Sequence, residues 1–234
     1  MKLIKIIEVN KLSLIKINNL NFSYPAKKDA LKNVNLEIKD GEFVCVLGEN
    51  GSGKSTLMKC ILGLNKIQSG EIIVKERIGY LPQKTEIQSN FPASIEEVVL
   101  SGTIVNNVHK IWYTKRDRAT ANKAMKDLDL YDIRKKCFMD LSGGQQQRVL
   151  IARAMCATEK IIILDEPTNG LDPSISTQIY EMLLKMNKKR NLTVVMVSHD
   201  IQRAINYCNK VIELKNGEVT YSGDVEKYKA GGVA

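Results

Sequence analysis

Gly48-Glu49-Asn50-Gly51-Ser52-Gly53-Lys54-Ser55-Thr56 begins where the apolar run Phe43-Val44-Cys45-Val46-Leu47 stops. It leads into Leu57, Met58, Ile61 and Leu62, spaced as on one face of a helix. The order is strand, glycine loop, helix. Glycines let the backbone turn its N–H groups inward around a phosphate chain, and the positive end of the following helix points at the same place. Lys54 supplies a charge that can reach β- and γ-phosphates. Ser55 offers a hydroxyl to the Mg²⁺ that neutralises them, and Thr56 one to the α-phosphate. A bare glycine-rich turn says little; G-x-x-x-x-G-K-S between a strand and a helix says much more.

Outward from the loop, strands and helices alternate. Leu20 to Tyr24 alternates as a strand does and stops at Pro25, leaving Tyr24 exposed at a strand end; Leu31 to Ile38 returns as a second strand. Leu3-Ile4-Lys5-Ile6 is echoed by Leu14-Ile15-Lys16-Ile17, and either copy could add an edge strand. After the first helix come strands at 70–74 and 78–81, the second stopping at Pro82 with Gln83 at its carboxyl end. Ligands of open parallel sheets bind in that crevice, so Gln83 is a candidate site residue; alone, it reads equally as a solvated glutamine.

From about residue 85 to 156 the pattern turns helical, with caps at Ser94-x-x-Glu97, Thr114-x-x-Asp117 and Ser142-x-x-Gln145. Trp112 and Tyr113 are read here as packing residues. The alternation resumes with Ile161-Ile162-Ile163-Leu164 running into Asp165-Glu166. Asp172-Pro173 starts a helix with a cap and a first-position proline. Strand 193–197 ends in Ser198-His199-Asp200, a helical face Ile201, Ala204, Ile205, Cys208 follows, and a hairpin flanks Asn216-Gly217.

Composition narrows the classes. The five cysteines are scattered and form no C-x-x-C pair, so neither a disulfide frame nor a zinc site is indicated. No apolar run approaches the roughly 18 residues needed to span a bilayer, and a signal peptide's apolar segment is missing, so a cytosolic protein is expected. The net charge of +9 comes from dispersed clusters such as Arg134-Lys135-Lys136 without interleaved aromatics. They are read as solvated faces, with an anionic membrane surface as the rival and no nucleic-acid partner.

Three strands thus deliver Lys54 and Ser55, Asp165 and Glu166, and His199 to one edge. An aspartate at a strand end can hold Mg²⁺, and an adjacent carboxylate can accept a proton from an attacking water, so Glu166 is the candidate general base. At Leu141-Ser142-Gly143-Gly144-Gln145-Gln146-Gln147-Arg148 the sequence resembles the ATP-binding-cassette (ABC) family. The match runs in order through Tyr24, the loop 48–56, Gln83, the signature 141–145, Asp165 and Glu166, Asp172 in Asn169-Gly170-Leu171-Asp172, and His199.

That resemblance implies an α/β fold: a phosphate-loop, RecA-like parallel-sheet core with an N-terminal antiparallel β subdomain and an inserted helical subdomain. Residues 1–234 would form one ATPase domain, with the core at 1–84 plus 157–234 and the helical subdomain at 85–156. It implies ATP and Mg²⁺ as cofactors, Tyr24 stacking on adenine, Gln83 sensing Mg²⁺ and the attacking water, and His199 contacting the γ-phosphate. Asp172 would carry communication across a dimer. Ser142, Gly143, Gly144 and Gln145 would meet the γ-phosphate held by an opposite subunit, giving a head-to-tail homodimer with two ATPs sandwiched. The partners implied are membrane permease subunits, with an external substrate-binding protein, at the cytoplasmic face of the membrane. The stretch 91–102 and the length look most like the ATPase of zinc or manganese importers. Another importer, an exporter, or a non-transport cassette such as an iron–sulfur cluster assembly ATPase is the alternative.

Overall fold

The computed structural model describes residues 12–25, 27–83, 92–106 and 112–231. The first copy of the Leu-Ile-Lys-Ile echo lies outside these residues, as does Phe91. The central sheet has six strands: β3 (Phe43–Leu47), β5 (Ile78–Leu81), β6 (Ile161–Asp165), β7 (Thr193–Val197), β8 (Lys210–Lys215) and β9 (Glu218–Asp224), in the order β5-β6-β7-β3-β8-β9. All pair in parallel except the last hairpin. Strands β3, β6 and β7 are buried along their whole length, because both faces of the sheet are covered. Phe43, Cys45 and Leu47 of β3 point into one apolar core, while Val44 and Val46 point into the other.

The first core lies under helices α2 (Ile95–Ser101), α3 (Lys115–Asp127), α4 (Gly143–Met155) and α5 (Pro173–Arg190). The three capping boxes form as the spacing expects, at Ser94, Thr114 and Ser142. The second core encloses α1 (Lys54–Ile61) between the central sheet and a three-stranded antiparallel sheet of β1 (Ser13–Tyr24), β2 (Lys27–Lys39) and β4 (Ser69–Val74). Two short helices, α6 (Ile201–Ala204) and α7 (Val225–Ala230), follow β7 and β9. Among the described residues, no helix is long and apolar enough to cross a membrane.

Four details differ from the sequence reading. Leu14 to Ile17 is no edge strand but part of β1, the middle strand of its sheet. Bulges carry β1 past its asparagines: Asn19 adopts φ 49° and its amide donates to Asn35 Oδ1 at 2.9 Å. Trp112 is 82% exposed and Tyr113 36%, because they precede the cap of α3 rather than standing on its buried face. Asp172 occupies the cap position of α5 without a side-chain cap bond, and α6 is a single turn.

Candidate active site

The phosphate loop is held open by backbone geometry. Gly48 has φ 141°, and a Cβ there would sit 2.3 Å from the Leu214 carbonyl oxygen; only glycine fits. Gly53, with φ 110°, is the N-cap of α1 and brings no side-chain cap to its first amides. Lys54 opens the helix and is 5% exposed. Its Nζ donates to the Gly48 and Glu49 carbonyls at 2.7 and 2.8 Å, so the loop folds around its own ammonium. Burial lowers the lysine's pKa, and the nearby Glu166 and Asp165 carboxylates oppose that shift. Ser52 Oγ is buried in the same loop without a hydrogen-bond partner among the described residues.

The carboxylates arrive from β6. Asp165 is 3% exposed; burial raises its pKa, against a hydrogen bond from Ser55 Oγ at 3.4 Å. The chain then turns sharply at Glu166, whose φ is 53°, a strained value for a residue with a side chain. Its N–H donates to the Val197 carbonyl at 3.1 Å, so the end of β7 pins the turn. The Glu166 side chain is enclosed by three others. Its Oε2 accepts from Gln83 Nε2 and from Asn169 Nδ2, each at 2.9 Å, and its Oε1 meets His199 Nε2. Tyr24, Asn50, Lys54, Gln83, Glu166 and His199 are among the residues lining a cavity of about 550 Å³.

Tyr24 closes one end of that cavity. Its hydroxyl is 3.5 Å from Thr56 Oγ1 and accepts from Asn65 Nδ2 at 3.1 Å, while its ring stands edge-on to Phe22. The signature residues lie elsewhere. Ser142 and Gly143 are exposed, and the Ser142 hydroxyl accepts from the Gln145 amide at 3.4 Å while the Gln145 carboxamide oxygen accepts from the Ser142 amide at 3.1 Å. Gly144 is packed so closely on α5 that a Cβ would lie 2.6 Å from Ile175 Cγ2. None of the signature residues lines the cavity, and neither does Asp172.

A family model described as ABC transporter matches residues 31–169. The chain belongs to the ABC transporter ATPase family. A shorter match, 137–202, is to a model described as an AAA domain and covers under a third of the chain. This ABC cassette is 35% identical to the zinc uptake system ATP-binding protein ZurA of Listeria innocua, over 92% of this chain and 88% of that protein. It is also 35% identical to the phosphonates import ATP-binding protein PhnC of Mesoplasma florum, over 92% and 95%. Among solved structures, the dimeric post-hydrolysis cassette MJ0796 bound to ADP and Pi is 34% identical, with a TM-score of 0.75 over 90% of this chain and 98% of that one. The cassette is therefore an ATP-binding, ATP-hydrolysing subunit of a transporter.

Of the residues named from sequence, the cassette brings Tyr24, Asn50, Gly51, Gly53, Lys54, Ser55, Thr56, Gln83, Glu166 and His199 to one cavity. Gly48, Ser52 and Asp165 stand directly behind it. Two residues were missed. Asn169 lies three positions after Glu166 and reaches back to its carboxylate, a local i to i+3 turn that the polar stretch 169–172 hints at. Asn65 holds the Tyr24 hydroxyl from beyond the end of α1, a contact with no local signal.

Proposed function

We propose that this cassette hydrolyses ATP with Glu166 as general base, and that it powers import of a divalent metal ion, zinc or manganese, through a membrane permease. The observation that carries the hydrolytic reading is the Glu166 carboxylate, oriented by Gln83, Asn169 and His199 beside Lys54. The site's donors fit the nucleotide and metal. A phosphate chain would draw Lys54 Nζ away from the two loop carbonyls and give the buried Ser52 hydroxyl a partner. Ser55 Oγ and Asp165 Oδ1 are hard oxygen donors already side by side, suited to Mg²⁺, with Gln83 at the rim. When bound, Mg²⁺ supplies the charge that neutralises the β- and γ-phosphates.

Hydrolysis then needs one proton removed from water as its oxygen bonds to the γ-phosphorus and the bond to the ADP oxygen breaks. Glu166 takes that proton. Gln83 and Asn169 fix one carboxylate oxygen and His199, with a proton on Nε2, holds the other; donating to the γ-phosphate would take that same Nε2–H turned from Glu166, or a second proton on Nδ1. Tyr24 offers its ring to adenine. Ser142, Gly143, Gly144 and Gln145 complete the site of a second copy, with Asp172 at the junction, as the dimeric form of MJ0796 supports. The likeness to ZurA, named as the ATP-binding protein of a zinc uptake system, supports metal cargo; a permease, an external binding protein and a place on the cytoplasmic membrane face belong to the same importer reading. The equal likeness to PhnC makes an anionic cargo the competing reading.

Glu166→Gln keeps the shape and removes the base. The variant is expected to bind ATP with turnover reduced about 10²-fold or more. Near-normal steady-state hydrolysis would refute the role. For cargo, the natively isolated complex in vesicles should take up radiolabelled zinc or manganese on ATP addition; phosphonate uptake instead would reassign it.

A further inference from the structure

Beneath the carboxylate site, Tyr180 of α5 is completely buried and stacks on Tyr207, with ring centroids 4.9 Å apart and planes 15° from parallel. Its hydroxyl lies 3.2 Å from Ser198 Oγ, and the Thr168 side chain is a near neighbour. These two residues belong to different loops. Thr168 immediately precedes Asn169, which donates to Glu166 Oε2; Ser198 immediately precedes His199, which meets Glu166 Oε1. The two loops are thus joined through the carboxylate and face each other again beside the phenol, which holds the Ser198 side directly.

Between these two places close packing does not set their separation. A cavity of about 220 Å³ lies there, lined among others by Thr168, Asn169, Ser176, Ser198, His199 and Arg203. The hydrogen bonds do set it. Ser198 Oγ donates to the Asp200 carbonyl at 3.4 Å while the Asp200 amide donates back to it at 3.2 Å, which leaves Tyr180 as the donor to Ser198, with Thr168 close by. Ser198 Oγ thus both donates and accepts.

We propose that Tyr180 is a positioning residue for hydrolysis: its hydroxyl fixes the spacing of the two loops that orient the Glu166 carboxylate. The inference rests on Glu166 being the base. Misplacing a reacting group by about 1 Å can cost on the order of 10²-fold in rate, so a span held by one phenol is a sensitive place to disturb. ATP binding, made mostly by the phosphate loop and Tyr24, does not pass through this span.

Tyr180→Phe keeps the ring, its volume and the stack on Tyr207. Its kcat is expected to fall about 5- to 30-fold while the KM for ATP stays within about twofold. Ser198→Ala should lower kcat similarly, and the double variant should be little worse than the poorer single one. A purely structural role would instead lower the melting temperature and leave kcat in the folded protein unchanged; that result for Tyr180→Phe, with Glu166→Gln inactive, overturns the proposal. A KM rise above about tenfold overturns it too. If Tyr180→Phe does not fold, Ser198→Ala decides alone, and wild-type kcat there is fatal. Wild-type turnover by Glu166→Gln would remove the base reading itself, a failure distinguishable from the others.

Discussion

Helices α1 and α4 both have a glycine at their start, Gly53 as the cap of α1 and Gly143 as the first residue of α4, yet their caps differ. The cap of α1 is Gly53, which offers no side chain, and residues 53–56 line the large cavity with Lys54 among them. The cap of α4 is Ser142, which shares a reciprocal capping box with Gln145 at the exposed surface. Isolated amides at a helix start attract anions in either case. Only α1, however, has walls, a buried cation and a carboxylate nearby. Among the described residues the contrast leaves one walled phosphate cradle and one helix end closed on itself, the end proposed above to serve a second copy.

The hardest blow to this contrast is Lys54→Ala. Removing a buried charge from α1 is expected to weaken ATP binding about 10²-fold or more, read by equilibrium nucleotide titration. Unchanged affinity would mean that the cradle lies elsewhere. Ser142→Arg attacks the other helix. The isolated chain should bind ATP within about twofold of wild type while steady-state turnover falls roughly 10- to 100-fold. Mixing it with Lys54→Ala should restore some turnover, because one composite site of such a dimer carries both lesions and the other neither. Loss of ATP binding by folded Ser142→Arg monomer would place the signature in the same chain's site.

A smaller effect concerns Asp165, whose pKa in the folded chain is raised by burial above the ordinary aspartate value. The folded state therefore binds this proton more readily than the unfolded chain, and the ionised carboxylate opposes folding at neutral pH. Asp165→Asn should melt above wild type without nucleotide. The gap should close as pH falls through the folded pKa into the range just above the ordinary aspartate value, where the wild-type carboxyl is also neutral. With Mg²⁺ and ATP the order should invert, because the variant has lost a metal donor. A variant that melts below wild type at neutral pH would contradict the sign.

Much of this was legible in the chain because the signals are local. Ile161–Leu164 and Thr193–Val197 are apolar runs cut off by Asp165 and Ser198, and a polar residue at such an end has only the crevice to occupy. The boxes at 94, 114 and 142 are i to i+3 patterns and read directly. What depends on pairing was not legible. Asn18, Asn19 and Asn21 interrupt the alternation of β1, and only their bonds to β2 and β4, such as Asn33 N–H to Asn21 Oδ1 at 2.9 Å, make one continuous strand of it. Asn65 and Tyr180 act through hydroxyl contacts set by tertiary packing, invisible to periodicity.

The phosphate loop's foundations come from far along the chain. Strand β3 lies between β7 and β8, Gly48 abuts the Leu214 carbonyl, and the Gly217 amide donates to the Ser52 carbonyl at 3.0 Å. A ribosome making this protein at about 5–20 residues per second finishes residues 48–56 well before residue 217 emerges. Until residue 193 emerges the glycine loop exists without either neighbouring strand. An N-terminal fragment ending before β7 would carry the whole glycine motif and is expected to bind ATP far more weakly than the full chain in equilibrium titration.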